Sequence, residues 1–203
     1  MYILGLTGGM AAGKSTVSKL FRRAGVPVFD ADACVRDLQK PHGKAIPEIE
    51  RAFPEAVKEG VLQREKLRAI IAQKEGALAQ LEAIIHPLVR QERKAFLQKC
   101  RHYGVHLCVL DIPLLMETGA DKECDLVLVV QAPLSVRLAR IRKRFRRDGK
   151  MSEAEARRLI ARQMSDQERR RRADIVLQTG LSRGHLARQV HALVHRLETE
   201  RAQ

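Results

Sequence analysis

Residues 4–17 read LGLTGGMAAGKSTV, from Leu4 to Val17. Gly8, Gly9 and Gly13 crowd a short span, and Lys14, Ser15 and Thr16 follow at once. A core strand or helix gains nothing from three glycines, so something there needs bare backbone. The spacing Gly8-x4-Gly13-Lys14-Ser15 fits G-x-x-x-x-G-K-[ST], a loop whose N–H groups wrap a phosphate chain. A Cβ would block close approach or the required φ. Tyr2–Thr7 is a short apolar run, and Val17, Leu20, Phe21 and Ala24 recur at helical steps until Gly25. The loop therefore falls between a strand and a helix, where helix-start N–H groups add their dipole. In that setting Gly8, Gly9, Ala11, Ala12, Gly13 and Thr16 line the phosphates. Lys14 reaches the β- and γ-phosphates, and Ser15 puts its hydroxyl on Mg²⁺. A tight strand–helix turn without a ligand is the plain alternative.

Further short apolar runs follow: VPVFD (26–30), VHLCVLD (105–111), DLVLVV (125–130) and DIVLQ (174–178). Continuous apolar strands separated by helical patterns predict a parallel sheet covered on both faces, an α/β fold. Residues 40–104 show no strand pattern. They predict helices near 43–52, 64–73 and 77–101, the last interrupted or kinked at Pro87. Residues 133–172 read as Arg-rich helices, with a turn at Asp148-Gly149 and a capping-box-like Ser152-Glu153-Ala154-Glu155. A last amphipathic helix runs from Arg183 to about Glu200; His191 and His195, one turn apart on it, fit a solvated face.

The 203 residues suffice for one α/β domain with insertions. No apolar run approaches the ~20 residues of a membrane span. MYILGLTGG has neither the basic start nor the cleavage site of a signal peptide. Cys34, Cys100, Cys108 and Cys124 lack C-x-x-C spacing, as expected of reduced thiols in a cytoplasmic protein. Cys100, His102, His106 and Cys108 match no standard zinc pattern. The net charge is +14, and residues 131–172 hold 15 Lys and Arg against 5 Asp and Glu. Such a balance calls for an anionic partner or gives solubility. A nucleic-acid-binding ATPase is one reading of it. Aromatics for base stacking are scarce, with no Trp, 2 Tyr and 5 Phe, and no nucleic-acid motif is present.

Three further clusters bear on chemistry. In VFDADA, Asp30 and Asp32 follow the second strand, at the sheet edge where ligands of such folds bind. An ordinary aspartate, with a pKa of ~3.9, is too weak to strip a sugar hydroxyl beforehand. It can take the proton late in a loose phosphoryl transfer. A helix N-cap is the other role open to both, and a metal-shell role is open to Asp30. In VLDIPLLMETG, Asp111 ends the third strand, where it either reaches Mg²⁺ or its waters or caps the next turn; Pro113 stops the strand and Glu117 lies near the same rim. In the basic stretch, Arg140 and Arg144 sit one turn apart, with Arg137 and Arg147 nearby. A solvated face is the default there. A kinase also needs a cover that brings Arg to the γ-phosphate, worth roughly 10³–10⁵ in rate.

These elements in order, with G-L-T-G-G-x-x-x-G-K-S-T-V, V-F-D-A-D-A, E-G-V-L-Q-R-E-K-L, L-E-A-I-I-H-P-L-V, D-I-P-L-L-M-E and A-D-I-V-L, resemble the dephospho-coenzyme A kinase family. The likeness runs from Ile3 to about Leu197. It implies a P-loop, nucleotide-kinase-like three-layer fold: a five-stranded parallel core (1–39, 105–135, 173–203), a helical CoA-side insertion (40–104) and an Arg-rich lid (136–172). It implies transfer of the γ-phosphoryl of ATP, with Mg²⁺, to the ribose 3′-hydroxyl of dephospho-CoA, the last step of coenzyme A synthesis. By matching position Asp32 is the catalytic carboxylate and Arg140 the lid arginine. His86, Pro113, Leu114 and Glu117 face the substrate, and Arg144 and Gln178 the nucleotide. No nucleic-acid or membrane partner is expected, and the chain is read as a monomer or weak homo-oligomer. The sequence departs from the family pattern at Ala11 and Ala12, where a further Gly and a Ser are usual. It also departs at Gln63 and at Gln178, which replaces an Asn near the adenine. Other small P-loop kinases, and an inactive nucleotide-binding scaffold, remain the alternatives.

Overall fold

The computed structural model describes residues 1–148, 153–180 and 182–199. The expected turn at Gly149, the capping residue Ser152 and the side chain of Arg147 lie outside the described residues.

In chain order the elements are β1 (Tyr2–Gly8), α1 (Lys14–Arg23), β2 (Val28–Asp30), α2 (Ala31–Leu38), α3 (Ile46–Ala52), β3 (Val57–Lys58), β4 (Val61–Leu62), α4 (Arg64–Gln73) and α5 (Ala77–His102). They continue with β5 (Leu107–Asp111), β6 (Leu126–Gln131), α6 (Leu134–Asp148), α7 (Glu153–Arg162), α8 (Asp166–Arg171), β7 (Ile175–Gln178) and α9 (Arg183–Thr199). The chain forms two compact units, Met1–Phe29 with Cys100–Gln203, and Asp30–Lys99.

The first unit holds the sheet, ordered β2-β5-β1-β6-β7. β1 pairs in parallel with β5 on one side and β6 on the other, and β6 pairs in parallel with β7. Every residue of β5 is buried, as are the inner residues of β1 and β6. Burial on both faces is why these strands read as unbroken apolar runs rather than alternating ones. The core on one face joins Leu4, Leu6 and Leu128 to Val17 and Phe21 of α1 and to Leu186, Val190, Leu193 and Leu197 of α9. From β1 the chain moves to β2 on one side, and later crosses to β6 on the other. That reversal puts a crevice at the carboxyl end of β1. Register sets Leu6 of β1 beside Asp111, Gly8 beside Val130, and Gln131 beside Gln178, so these residues share that end of the sheet.

The second unit has its own core of Leu38, Ile46, Ile49, Phe53, Leu67 and Ile85. One expectation is corrected here, and one is narrowed. Residues 40–104 do contain strands: β3 and β4 form an antiparallel hairpin, Val57 opposite Leu62. Its turn residues Glu59 (φ 52) and Gly60 (φ 72) are both left-handed, as a tight primed hairpin turn requires. Pro87 does not interrupt its helix, since α5 runs unbroken from Ala77 to His102. Ile85, Leu88 and Val89 on either side pack into the unit's core, and such burial outweighs one lost backbone hydrogen bond.

Candidate active site

The loop between β1 and α1 has the geometry that its glycines promise. Gly13 is the N-cap of α1 at φ 105, and no side chain caps the helix. No acidic residue lies in its first turn, so the positive end of the helix dipole meets no local negative charge. The Ala12 N–H donates to Gly9 O at 3.0 Å, closing the turn at the loop's tip. Ala11 takes φ 58, a left-handed conformation that L-residues rarely adopt. The position where the family usually has Gly is thus one where the backbone wants Gly.

Lys14 extends its Nζ to 2.5 Å from Asp111 Oδ1. Its side chain is 18% exposed and that of Asp111 4%, so the pair is largely shielded. Asp111 accepts the ammonium here and does not serve as a turn cap. Ser15 and Thr16 are exposed on the first turn of α1. The Ser15 hydroxyl and the Asp111 carboxylate are hard oxygen donors suited to Mg²⁺.

Arginines surround the loop's outer side. Arg140 Nη1 donates to Ala11 O and Ala12 O, each at 3.0 Å, and to Thr179 Oγ1 at 3.1 Å. Its Nη2 donates to Thr179 O at 2.5 Å. Burial, together with the charge of Arg144, lowers the affinity of this guanidinium for its proton. Arg144, the other arginine expected to reach ATP, is exposed. Arg137 Nε donates to Met10 O at 2.7 Å, and its Nη1 to Asp166 Oδ2 at 2.8 Å. Arg169 donates to Asp166 Oδ1 at 2.8 Å and to Met164 O at 2.6 Å. Arg137 and Arg169 are 2% and 3% exposed. A Cβ on Gly9 would lie 2.7 Å from Arg137 Nη2 and 3.1 Å from Arg169 Nη1, so the bare backbone here admits two guanidinium groups. Gln163 Oε1 accepts the Met10 N–H at 3.0 Å.

Around the rim, Thr7 Oγ1 donates to Pro113 O at 2.9 Å, fixing the chain after β5. Leu114 is exposed. Glu117 stands 3.9 Å from Arg169. Gln178 Nε2 donates to Gln131 Oε1 at 3.3 Å across the ends of β7 and β6. Gly8, Gly9, Ala11, Ala12, Gly13, Lys14, Ser15, Thr16, Asp111 and Arg140 are therefore gathered at one sheet edge. Asp30, Asp32 and His86 belong to the second unit. Asp30 caps α2, its carboxylate accepting the Ala33 N–H at 2.8 Å. Asp32 is exposed in the first turn of α2, and His86 is exposed on α5.

Sequence reasoning missed Thr179, Asp166, Gln163 and Arg169. Thr179 carries no local signal. Arg169 hides in the run ERRRRAD; it follows Asp166 by three residues, a helical spacing for an ion pair, but Arg170 follows it by four and shares that signal, so spacing alone does not single Arg169 out.

Comparison with known proteins agrees with this picture. The family model for dephospho-CoA kinase (CoaE) matches residues 2–183. A dephospho-CoA kinase of Gluconobacter oxydans is 64% identical over 197 residues, covering 97% of this chain and 98% of that one. A Thermus thermophilus structure, TT1252, covers 97% of both chains at 35% identity with a TM-score of 0.78. The dephospho-CoA kinase structure from Campylobacter jejuni, at 22% identity and TM-score 0.73, covers 98% of both and shares the fold.

Proposed function

The chain belongs to the dephospho-CoA kinase family, and on that premise we propose that its residues divide the work as follows. The reaction moves the γ-phosphoryl of ATP to the ribose 3′-hydroxyl of dephospho-CoA, giving coenzyme A and ADP. The observation that carries the reading is the Lys14 ammonium, held at Asp111 beside the left-handed Gly13 at the head of α1.

The loop amides and the α1 dipole bind the triphosphate. Lys14 follows the charge that gathers on the β,γ-bridging oxygen as its bond to phosphorus breaks. Arg140 lends its positive charge to the triphosphate from the loop's outer side, with Arg144 nearby. Asp32 orients the 3′-hydroxyl and takes its proton as the new P–O bond forms. Ser15 and Asp111 would hold Mg²⁺, which would offset phosphate charge. His86, Pro113, Leu114 and Glu117 line the acceptor side, and Gln178 the adenine side. The segments divide into core (1–39, 105–135, 173–203), CoA-side insertion (40–104) and lid (136–172). We read the protein as cytoplasmic, and as a monomer or weak homo-oligomer. Among the described residues no helix is long and apolar enough to cross a membrane.

A coupled ADP-release assay with adenosine, AMP, shikimate and dephospho-CoA side by side tests the reading. ADP should appear only with dephospho-CoA and only with Mg²⁺. Turnover with shikimate or AMP instead would assign the site to another small kinase.

A further inference from the structure

In a trans peptide the carbonyl and the following N–H point in opposite directions. Whatever holds the Ala12 carbonyl therefore also aims the Gly13 N–H. Two side chains hold that carbonyl from the loop's outer side. Thr179 Oγ1 donates to Ala12 O, and Arg140 Nη1 donates to it at 3.0 Å.

Thr179 is itself fixed on every side. It directly follows β7, and its N–H donates to Gln131 O, the last residue of β6, at 2.8 Å. Its hydroxyl accepts from Arg140 Nη1 at 3.1 Å, and its carbonyl from Arg140 Nη2 at 2.5 Å. A hydroxyl has one proton to give and lone pairs to receive. Two carbonyls stand within its reach, Ala12 O and, at 3.3 Å, Gln131 O; the loop carbonyl is the nearer and takes the proton, and a lone pair takes the arginine. The residue is 4% exposed. A Cβ on Gly13 would meet Thr179 Oγ1 at 3.0 Å and Arg140 Nη1 at 3.2 Å, so both groups stand directly against the loop's last glycine.

We infer that Thr179 is a positioning residue for the phosphoryl donor: its hydroxyl fixes the Ala12–Gly13 peptide so that the Gly13 amide faces the phosphates, and its hydroxyl and carbonyl together seat the Arg140 guanidinium against the loop. It acts through these groups and needs no contact with ATP. Two loop positions where the family usually has Gly and Ser are Ala here, so neither Ala11 nor Ala12 offers a hydroxyl to brace the loop from within. The brace comes from the sheet edge, 167 residues away along the chain.

The inference rests on the kinase reading, and the test separates the two. Thr179→Val keeps the shape and removes the hydroxyl; Thr179→Ser keeps the hydroxyl. For Thr179→Val, loss of the brace should raise KM for ATP about tenfold, the scale of one lost hydrogen bond. Equilibrium binding of a fluorescent ATP analogue should weaken in parallel. KM for dephospho-CoA should stay within about twofold, and Thr179→Ser should restore ATP binding. A Thr179→Val enzyme with unchanged ATP binding overturns the inference. So does a loss in which both KM values and the melting temperature move together, or one that Ser does not rescue. If the wild-type enzyme itself does not turn over dephospho-CoA, the kinase reading fails; ATP binding by the two variants still decides the role of Thr179.

Discussion

At the scale of single residues, the proposed transfer asks for one carboxylate that acts late, the role we assign to Asp32. Asp32→Asn keeps the size and shape of the side chain and one acceptor oxygen while removing its ability to take a proton. The variant should bind ATP as the wild type does and lose most of its turnover, at least ~10²-fold on the scale of general-base removal. Single-turnover kinetics with ATP and dephospho-CoA measure this, and an unchanged kcat would take Asp32 out of the reaction. Ala11 poses the opposite problem, a residue whose side chain works against its backbone. At φ 58 an L-residue pays about 1–2 kcal/mol, while glycine loses about 0.5–1 kcal/mol of chain freedom on folding. Ala11→Gly should therefore leave the melting temperature unchanged or raise it by about 2–4 °C, with ATP binding kept; a clear fall would show that the methyl group packs usefully.

Among the elements, those with strong periodicity were legible in the sequence. β1, β5, β6 and β7 are unbroken apolar runs because helices cover both faces of the sheet. α1 follows from Val17, Leu20 and Phe21, and the loop before it from the spacing of its glycines. β3 and β4 were not legible. Two residues per strand are too few for any alternation, and their turn is Glu59-Gly60 rather than the Asn-Gly that announces a hairpin. The helix expected over 77–101 is α5; that it runs through Pro87 without a break was not legible, because local rules weigh the proline but cannot see the core around Ile85 and Leu88. Lys14, Asp111 and Arg140 could be read from motif and spacing. The Thr179 brace could not, since a hydroxyl reaching a carbonyl across the whole domain leaves no periodic trace. α2 offers a test at this scale. Asp30 caps it through the Ala33 N–H, so Asp30→Ala should cost about 1 kcal/mol. Thermal melts should show a drop of about 2–4 °C, and Asp30→Asn, also a good cap, should recover most of it.

For the molecule as a whole, the buried face of the sheet sets how the protein meets alkali and thiol reagents. Cys108 is fully buried in β5. Desolvation, together with the neighbouring Cys100 thiol, pushes its pKa from 9.0 to about 12. In the unfolded chain this thiol ionises near its ordinary value, so ionisation pulls toward unfolding. The stability at stake is fully present below pH 9 and is lost as pH rises toward 12. At pH 8 iodoacetamide should modify Cys108 only at the rate of global unfolding. Mass spectrometry of digested peptides measures this. Rapid labelling of the native enzyme would show that the face is open.

The register of β1 also bears on how the protein is made. Its residues pair with partners near Leu107 and Leu126, so the strand at the centre of the finished sheet is made well before either of its neighbours. It stays unpaired on both edges until more than half the chain has emerged. A bare apolar strand in a nascent polypeptide invites wrong pairing. Until β5 and β6 have been made, β1 offers two open edges to any strand that approaches it.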